Sequence, residues 1–140
     1  MKNSSIDDVK LIKLPVFKDL KGDLIPIETN THIPIEVKRV FQIIAPKGST
    51  RGEHSHKAHS QFMLCTKGEV LIECDDGKNK KRFTLNKPNI GIFVPPNIWS
   101  NQKYTIDNSI LTVLCDAIYN ENEYVRDYNQ FLMSKDANSF

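Results

Sequence analysis

The chain has 140 residues, of which 39% are hydrophobic and 26% charged, and its formal net charge is +2. This length predicts one globular domain over residues 1–140, with the composition of an ordinary soluble protein. A charge balance so close to zero argues against a surface that binds nucleic acid or membrane.

The sequence also lacks the signals of export. No apolar run reaches the roughly 18 residues that a membrane-spanning helix needs. The first ten residues contain acids where a signal peptide requires an apolar segment. The three cysteines, Cys65, Cys74 and Cys115, lie far apart, and their odd number suits no closed disulfide framework. We therefore expect reduced, buried thiols and a cytoplasmic protein.

Short strands separated by turn residues dominate the predicted elements. In chain order, strands are predicted at residues 10–14, 24–29, 38–45, 52–56, 61–66, 69–74, 81–85, 91–94 and 110–117. The pair Asp76-Gly77 is a strong hairpin signal, because glycine accepts the positive φ that such turns need. Many short strands with this punctuation predict an all-β sandwich or barrel.

The last predicted element is helical. Tyr124, Tyr128, Phe131 and Leu132 fall at positions i, i+4, i+7 and i+8, with polar residues between them. This spacing gives one apolar face on a short helix. We expect the helix to pack on the outside of the barrel and residues 134–140 to fray.

Three of the four histidines lie within six residues, at positions 54, 56 and 59. On a strand, the i, i+2 spacing of His54 and His56 points both imidazoles to one face. Two imidazoles inside a barrel are costly unless water, a metal or a ligand satisfies their nitrogens. Because Arg51 and Gln61 flank the pair, we interpret it as a functional site. His59 is expected to be a solvated turn residue.

The pattern around these histidines resembles the first motif of the cupin superfamily. It runs Gly48-x5-His54-x-His56-x4-Gln61-x6-Gly68. The resemblance implies a double-stranded β-helix, or jelly-roll, barrel.

Two positions depart from the metal-binding cupins. Cupins usually carry Glu where Gln61 stands, and their second motif has His where Ser100 stands. A carboxamide and two neutral imidazoles are poor ligands for a divalent cation. We therefore expect no bound metal and no cofactor, and a reaction in which the histidines move substrate protons directly.

A closer resemblance covers residues 10–132. The run Arg-Gly-Glu-His-Ser-His-Lys at 51–57, Gln61 and Asp-Asp-Gly at 75–77 resemble the sugar 3,4-ketoisomerases, which are grouped with the WxcM-like cupins. Supporting segments are Ile-Phe-Val-Pro-Pro-Asn-Ile-Trp at 92–99 and Tyr-Val-Arg-Asp-Tyr at 124–128. Gln42 and Asn97 differ from the family, which often has an aromatic residue and usually has glycine there.

This resemblance implies a metal-free isomerase. Family members convert dTDP-4-oxo-6-deoxyglucose into its 3-oxo isomer, which an aminotransferase then uses to make 3-amino-3,6-dideoxy sugars. They are homodimers. The C3 proton is acidic beside the C4 ketone, so an imidazole can remove it and give an enediol. We expect His56 to act at carbon and His54 at oxygen, although the sequence leaves the reverse order open.

The remaining candidate site residues bind substrate. Gln61 would hydrogen-bond the sugar or orient an imidazole. Arg51 and Arg39 are candidates for the pyrophosphate, since a guanidinium fork matches phosphate oxygens. Phe41 and Trp99 are candidates for the walls of the sugar pocket.

Three alternatives stay open. A nucleotide-sugar epimerase of the same barrel type would pair a histidine base with a tyrosine acid, for which Tyr104 is the mid-chain candidate. A non-catalytic sugar-binding cupin would bind without turnover. A metal-dependent dioxygenase or isomerase would lose activity on chelation.

Overall fold

The computed structural model of the chain describes residues 3–137, which contain twelve β-strands, two 3₁₀ helices and one α-helix. The strands are β1 (Lys10–Lys13), β2 (Phe17–Asp19), β3 (Gly22–Leu24), β4 (Arg39–Ala45), β5 (Thr50–His56), β6 (Gln61–Lys67), β7 (Val70–Asp75), β8 (Lys80–Leu85), β9 (Ile90–Val94), β10 (Trp99–Tyr104), β11 (Ser109–Cys115) and β12 (Tyr124–Val125). The α-helix, α1, spans Tyr128–Ala137, and the 3₁₀ helices span Ile6–Asp8 and Glu121–Glu123.

Two five-stranded antiparallel sheets form the barrel. The first has the order β1-β9-β6-β11-β4 and the second the order β12-β5-β10-β7-β8, while β2 and β3 form a separate hairpin. Most neighbours in a sheet are distant in sequence, so the chain crosses repeatedly between the sheets, as in a jelly roll. The predicted all-β cupin barrel with a short C-terminal helix is confirmed.

The main core lies between the two sheets. Met63 and Val113 from the first sheet pack in one buried cluster with Ile72 and Tyr104 from the second. Burial alternates along the strands, as expected when one face of each sheet points inward. The inner face therefore supplies both the core and, at one end, the site described below.

The outer face of the first sheet is covered as well. Phe62, Leu64 and Leu114 point away from the main core and form a second cluster with Ile33 and Ile35. The apolar runs of β6 and β11 predicted cover on both faces. The chain itself supplies the outer layer, from the extended segment between β3 and β4.

Eight of the nine predicted strands are present, and residues 24–29 are the exception. Only Leu24 belongs to a strand, and one isolated bridge, between Thr29 and Ile33, follows. Pro26 and Pro34 lack the N–H groups that a ladder needs. The segment packs Ile25 and Ile27 against the outer cluster without joining the sheet.

The β10 strand was not predicted because its sequence is polar. Its buried positions include Ser100 and Gln102, which lie where a strand normally shows apolar residues. Its partners are β5 and β7, so it lies in the middle of the second sheet. These buried polar residues show that the barrel interior beside β10 is partly polar.

The helix begins later than predicted and does not fray at residue 134. Tyr124 belongs to β12, and α1 begins at Tyr128. Phe131 is fully buried, and Lys135 is buried and donates to the Ser4 carbonyl. Residues 138–140 of the predicted frayed tail lie outside the described residues. Within residues 3–137, no helix is both long and apolar enough to cross a membrane.

Candidate active site

The histidine-bearing strand β5 lines a cavity of about 560 Å³ between the two sheets. The lining comes from β4, β5, β6, β10 and β12, together with Arg126 just after β12. Two other cavities, of about 720 and 390 Å³, contain none of the histidines. The cavity beside β5 is therefore the candidate active site.

A β-bulge in β5 sets which side chains face the cavity. Ser100 of β10 lies opposite His54, but the next residue, Asn101, lies opposite Gly52, so Glu53 is an extra residue. In a regular strand, Arg51 and His54 would point to opposite faces, because they are three residues apart. The extra residue restores Arg51 to the side of His54, and both line the cavity.

Glycine is required at the bulge. Gly52 has a φ of +85°, a conformation that other residues rarely adopt. A Cβ atom there would lie 3.2 Å from the Ser100 carbonyl oxygen and 3.3 Å from the Asn101 Cα. The Arg-Gly-Glu-His sequence therefore supplies both the glycine that the bulge requires and the side chains that the bulge directs into the cavity.

The two imidazoles are neighbours in the barrel interior. Their ring centroids lie 5.0 Å apart, with ring planes at 88°. His54 lines the cavity, whereas His56 is only 8% exposed and is not a lining residue. The sequence prediction that both rings share one inward face agrees with this arrangement. His54 is the imidazole that a bound molecule meets first.

Burial keeps both imidazoles neutral. It is the largest cause of the lowered pKa of His54, and it lowers the pKa of His56 to about 3. Nearby positive charges, among them Arg126, lower both pKa values further. Nδ1 of His54 and both ring nitrogens of His56 are buried and have no hydrogen-bond partner among the described residues. At neutral pH each ring therefore keeps one nitrogen lone pair free, and the lowered pKa means that a proton accepted there is readily released.

Tyr124 completes the imidazole cluster. It lies opposite His56 in the ladder between β12 and β5, so both side chains share one face. Its ring centroid is 4.5 Å from that of His56 and 5.0 Å from that of His54. Sequence reasoning assigned residues 124–132 to a helix and therefore missed Tyr124 as a residue of the cavity. The alternation of Tyr124 and Arg126, at the same i, i+2 spacing as the histidines, was the available signal.

Gln61 and Arg39 are aligned across three strands of the first sheet. Gln61 lies opposite Cys115, which in turn lies opposite Arg39. The Gln61 amide nitrogen donates to the Cys115 sulfur over 3.6 Å, which fixes the amide against the barrel wall. Burial is the main cause of the raised pKa of the Cys115 thiol, so it stays protonated there.

Three arginines line the cavity. Arg39 stacks over Phe41, with its guanidinium carbon 4.6 Å from the ring centroid. Arg126 lies 4.4 Å above the ring of Tyr124, and Glu121 holds it through two hydrogen bonds of 2.9 and 3.1 Å. Neither Arg39 nor Arg51 has a carboxylate partner in the described part of the chain. Glu53 is the one carboxylate among the lining residues, so the three arginines leave the cavity with a net positive charge suited to an anionic ligand.

Trp99 is not brought together with the other predicted site residues. Its ring packs against α1, 5.2 Å from Tyr128 and 5.7 Å from Phe131 between centroids. It does not line the cavity. The side chains of β10 alternate, and the cavity receives Gln102 from this strand instead.

Tyr104, the acid of the epimerase alternative, is also outside the cavity. It is fully buried, and its hydroxyl donates to the Gln102 carboxamide oxygen over 2.8 Å. Burial raises its pKa to about 12. A tyrosine held in this way is poorly placed to donate a proton to a ligand in the cavity.

The donor set does not suit the metal that many cupins bind. Ser100 lies opposite His54, and the amide of Gln61 is engaged by a thiol. Within residues 3–137, no group of three or more His, Cys, Asp or Glu side chains is arranged to hold a metal ion. Two imidazoles without a carboxylate make a weak site for a divalent cation.

A jelly roll with a histidine pair on one strand beside its cavity defines a cupin-type barrel protein. Within that class, residues 7–136 match the family model described as WxcM-like, C-terminal (FdtA), and the chain belongs to this family. The resemblance to the sugar 3,4-ketoisomerases that the sequence indicated is thereby confirmed.

Three relatives illustrate the similarity. The chain is 34% identical over 123 residues to the TDP-4-oxo-6-deoxy-α-D-glucose-3,4-oxoisomerase of Aneurinibacillus thermoaerophilus, covering 87% of this chain and 88% of the relative. A 3,4-ketoisomerase structure from Helicobacter canadensis has a TM-score of 0.89 and 38% identity, covering 92% and 98%. A histidine-to-asparagine variant of QdtA from Thermoanaerobacterium thermosaccharolyticum, in complex with TDP-4-keto-6-deoxyglucose, has a TM-score of 0.91 and 32% identity, covering 95% and 97%.

Proposed function

We propose that this protein is a metal-independent 3,4-ketoisomerase that converts dTDP-4-oxo-6-deoxyglucose into the 3-oxo-6-deoxy isomer. The observation that carries the proposal is the imidazole of His54 in a cavity lined by three arginines, with the buried ring of His56 5.0 Å from it. Relatives at 32–38% identity that are named as ketoisomerases of this kind support the choice of substrate. Its product suits an aminotransferase that makes 3-amino-3,6-dideoxy sugars.

The carbon chemistry needs one base. The C3 proton lies next to the C4 ketone and is acidic, so a neutral imidazole can remove it while O4 gains a proton, which gives an enediol. The enediol then loses the O3 proton and gains one at C4, which leaves the ketone at C3. We assign the carbon base to His54, because it lines the cavity and His56 does not. This is the reverse of the order favoured by the sequence.

The oxygen chemistry needs a second group. One proton must leave O3 and one must reach O4 in each turnover. Tyr124 lines the same cavity, and its ring contacts both imidazoles. We assign to Tyr124 the transfer between the two oxygens, with Gln61 as a hydrogen-bonding partner of the sugar.

The arginines fit the nucleotide diphosphate. Arg39 and Arg51 bring unneutralised guanidinium groups to the cavity, and each can form two parallel hydrogen bonds to phosphate oxygens. Phe41, under the guanidinium of Arg39, supplies an apolar wall. Arg126 adds a third positive charge that Glu121 already orients.

The deciding experiment is incubation with dTDP-4-oxo-6-deoxyglucose, followed by proton NMR of the product. A carbonyl at C3, with a rate unchanged by EDTA, supports the proposal, and coupling to a 3-aminotransferase then yields the 3-amino sugar. An inverted carbon with the ketone still at C4 would identify an epimerase. Binding without turnover would identify a sugar-binding cupin.

We further propose that the protein acts as a homodimer in the cytoplasm. Val40 and Ile44 of the sheet-edge strand β4 are 57% and 64% exposed, next to the apolar outer cluster of the first sheet. Exposed apolar residues clustered in this way are typical of an interface. The three cysteines are free and buried, which supports a reducing compartment.

A further inference from the structure

A third imidazole and a carboxylate continue the histidine pair towards the surface. The rings of His56 and His59 lie 6.3 Å apart between centroids and are nearly parallel, at 18°. Nε2 of His59 is 3.7 Å from Oε2 of Glu123. With His54 at the cavity, these groups lie in a row that leads from the cavity to the protein surface.

The inner part of the row has unsatisfied hydrogen-bonding capacity. His56 is 8% exposed, yet neither of its ring nitrogens has a partner, and Nδ1 of His54 has none. Buried polar atoms of folded proteins are almost always paired with protein or water. With centroids 6.3 Å apart, the rings of His56 and His59 are too distant for a direct hydrogen bond, so a transfer between them requires a bridging water. The unpartnered nitrogens therefore point to hydrogen bonds along the row.

The outer end of the row is fixed and reaches solvent. The Ala58 N–H donates to Oε2 of Glu123 over 2.8 Å, and the Lys57 N–H donates to the Glu123 carbonyl over 3.0 Å. The side chains of His59 and Glu123 are 21% and 17% exposed. They can exchange protons with water, whereas His56 cannot do so directly. The sequence predicted a solvated turn residue at His59, but the structure places it between His56 and Glu123.

We propose that His54, His56, His59 and Glu123 form a proton relay between the catalytic base and solvent, an inference that rests on the proposed function. After His54 takes the proton from C3, it passes a proton to one nitrogen of His56. Because no hydrogen bond joins the two rings at rest, this transfer needs a water between them or a rotation of one ring. The other nitrogen of His56 releases its own proton through the bridging water to His59 and then to Glu123 or solvent. The same steps in reverse return a solvent proton to His54 for delivery to C4, so no proton is gained or lost overall.

A neutral imidazole suits the middle position of such a relay. It carries one N–H donor and one acceptor nitrogen, so it can accept a proton on one side while it releases another. Burial holds the pKa of His56 to about 3, which prevents this ring from retaining the proton as a stable cation. His56 then passes protons without storing them, and His54 is free to act as the base at carbon.

The relay has a measurable consequence for isotope labels. A deuteron removed from C3 either returns directly from His54 to C4 or exchanges with solvent along the row. In the wild-type protein we expect product that has lost deuterium to solvent water. His59→Gln and Glu123→Gln should raise the fraction retained at C4. Their kcat should fall by roughly tenfold, less than the about 10²–10⁴-fold typical of a group that moves the proton at the substrate.

The experiment uses dTDP-4-oxo-6-deoxyglucose deuterated at C3, sampled in the first turnovers and reduced with borohydride to stop non-enzymatic exchange. His32→Gln is the matched control, because His32 lies in the loop between β3 and β4, outside the cavity, and its Nδ1 accepts a hydrogen bond from the Glu28 N–H. Glu123→Gln keeps an oxygen for the Ala58 N–H, so it separates proton transfer from loop structure. Complete retention in the wild-type protein, or unchanged retention in either folded variant, would overturn the relay. If wild type shows no isomerisation, the proposed function itself fails.

Discussion

His54 and His56 differ from surface histidines in the surroundings of their ring nitrogens. The barrel wall removes water from both rings, and the nearby guanidinium of Arg126 disfavours a second positive charge. As a result, His56 remains neutral well below the ordinary histidine pKa, and the pKa of His54 is lowered as well. Perturbed ionisation of this kind in a cavity is typical of a functional site.

At the residue scale, His54→Asn should remove most turnover and leave nucleotide binding nearly unchanged. The asparagine keeps a polar side chain of similar size but cannot accept the C3 proton, so kcat should fall by about 10²–10⁴-fold. His56→Asn should lower kcat less if His54 is the base at carbon. The measurements are the isomerisation rate by NMR and the affinity for dTDP by calorimetry.

The same two variants also test the assignment of roles. A larger loss in His56→Asn than in His54→Asn would restore the order that the sequence favoured. Full activity in both variants would exclude the histidine pair from the chemistry. His32→Asn serves as the control, because this histidine lies outside the cavity.

At the element scale, the bulge in β5 determines which side chains of this strand face the cavity. The extra residue Glu53, in a positive-φ conformation, places Arg51 and His54 on the same side of the sheet. A regular strand with the same sequence would present either the arginine or the imidazoles to the cavity. The bulge therefore links the anion-binding and proton-transfer halves of the site.

Gly52→Ala should weaken this bulge. The alanine must hold a φ of +85° and bring its Cβ within 3.2 Å of the Ser100 carbonyl oxygen. We expect the free energy of unfolding to fall by about 1–3 kcal/mol, and dTDP affinity to fall because Arg51 is displaced. Urea denaturation and calorimetry measure the two effects.

Gly48→Ala is the matched control for this change. Gly48 also has a positive φ, of +90°, but a Cβ there meets nothing within 4 Å. The Gly48→Ala variant therefore measures how much the positive φ alone lowers the free energy of unfolding, at a position outside the bulge. If Gly48→Ala reduces dTDP affinity as much as Gly52→Ala, the bulge does not control the position of Arg51.

Sequence patterns predicted the elements that contribute apolar residues to the core. The strands β6, β7 and β11 are rich in buried apolar side chains, and the Asp76-Gly77 turn joins β7 to β8 as expected. The β10 strand escaped prediction because the inward positions near the site are polar. Its place in the sheet depends on contacts with distant strands, which no local pattern records.

The site residues also divide into those that a local pattern predicts and those that depend on distant contacts. The histidine pair could be predicted because both members lie on one strand, only two residues apart. Tyr124 and Arg126 reach the cavity because β12 pairs with β5 across 68 positions of sequence (124 minus 56). The tyrosine spacing also fits a helix, and only the tertiary pairing decides between the two structures. Trp99 was assigned to the wall from its position after a turn, which does not fix the face that it occupies.

At the scale of the whole molecule, the exposed part of the first sheet's outer face, on the edge strand β4, should form the dimer contact. Val40→Lys and Ile44→Lys place charges on exposed apolar positions of β4, and we expect the dimer to dissociate at concentrations where wild type is dimeric. Sedimentation velocity measures the species. Met133→Lys is the control, because Met133 is equally exposed, at 63%, but lies on α1. A wild-type monomer, or a dimer that survives both β4 substitutions, would contradict the assignment.

The buried imidazoles should also make the stability of the whole fold depend on pH. In the unfolded chain, His56 takes a proton below its ordinary pKa of 6.5, whereas in the native barrel it stays neutral down to about pH 3. Between these values the unfolded state binds more protons, so the free energy of unfolding falls as the pH falls, by about 1.4 kcal/mol per unit. The lowered pKa of His54 acts in the same direction.

His56→Asn should remove one of these two contributions. Between pH 6.5 and 5, wild type should therefore lose about 2 kcal/mol more than the variant, and above pH 7.5 the difference between the two proteins should be constant. Urea denaturation at several pH values measures both. Protonation of carboxylates affects both proteins alike and cancels in the comparison. Parallel pH profiles for wild type and variant would mean that water or a charged partner reaches His56 in the native state.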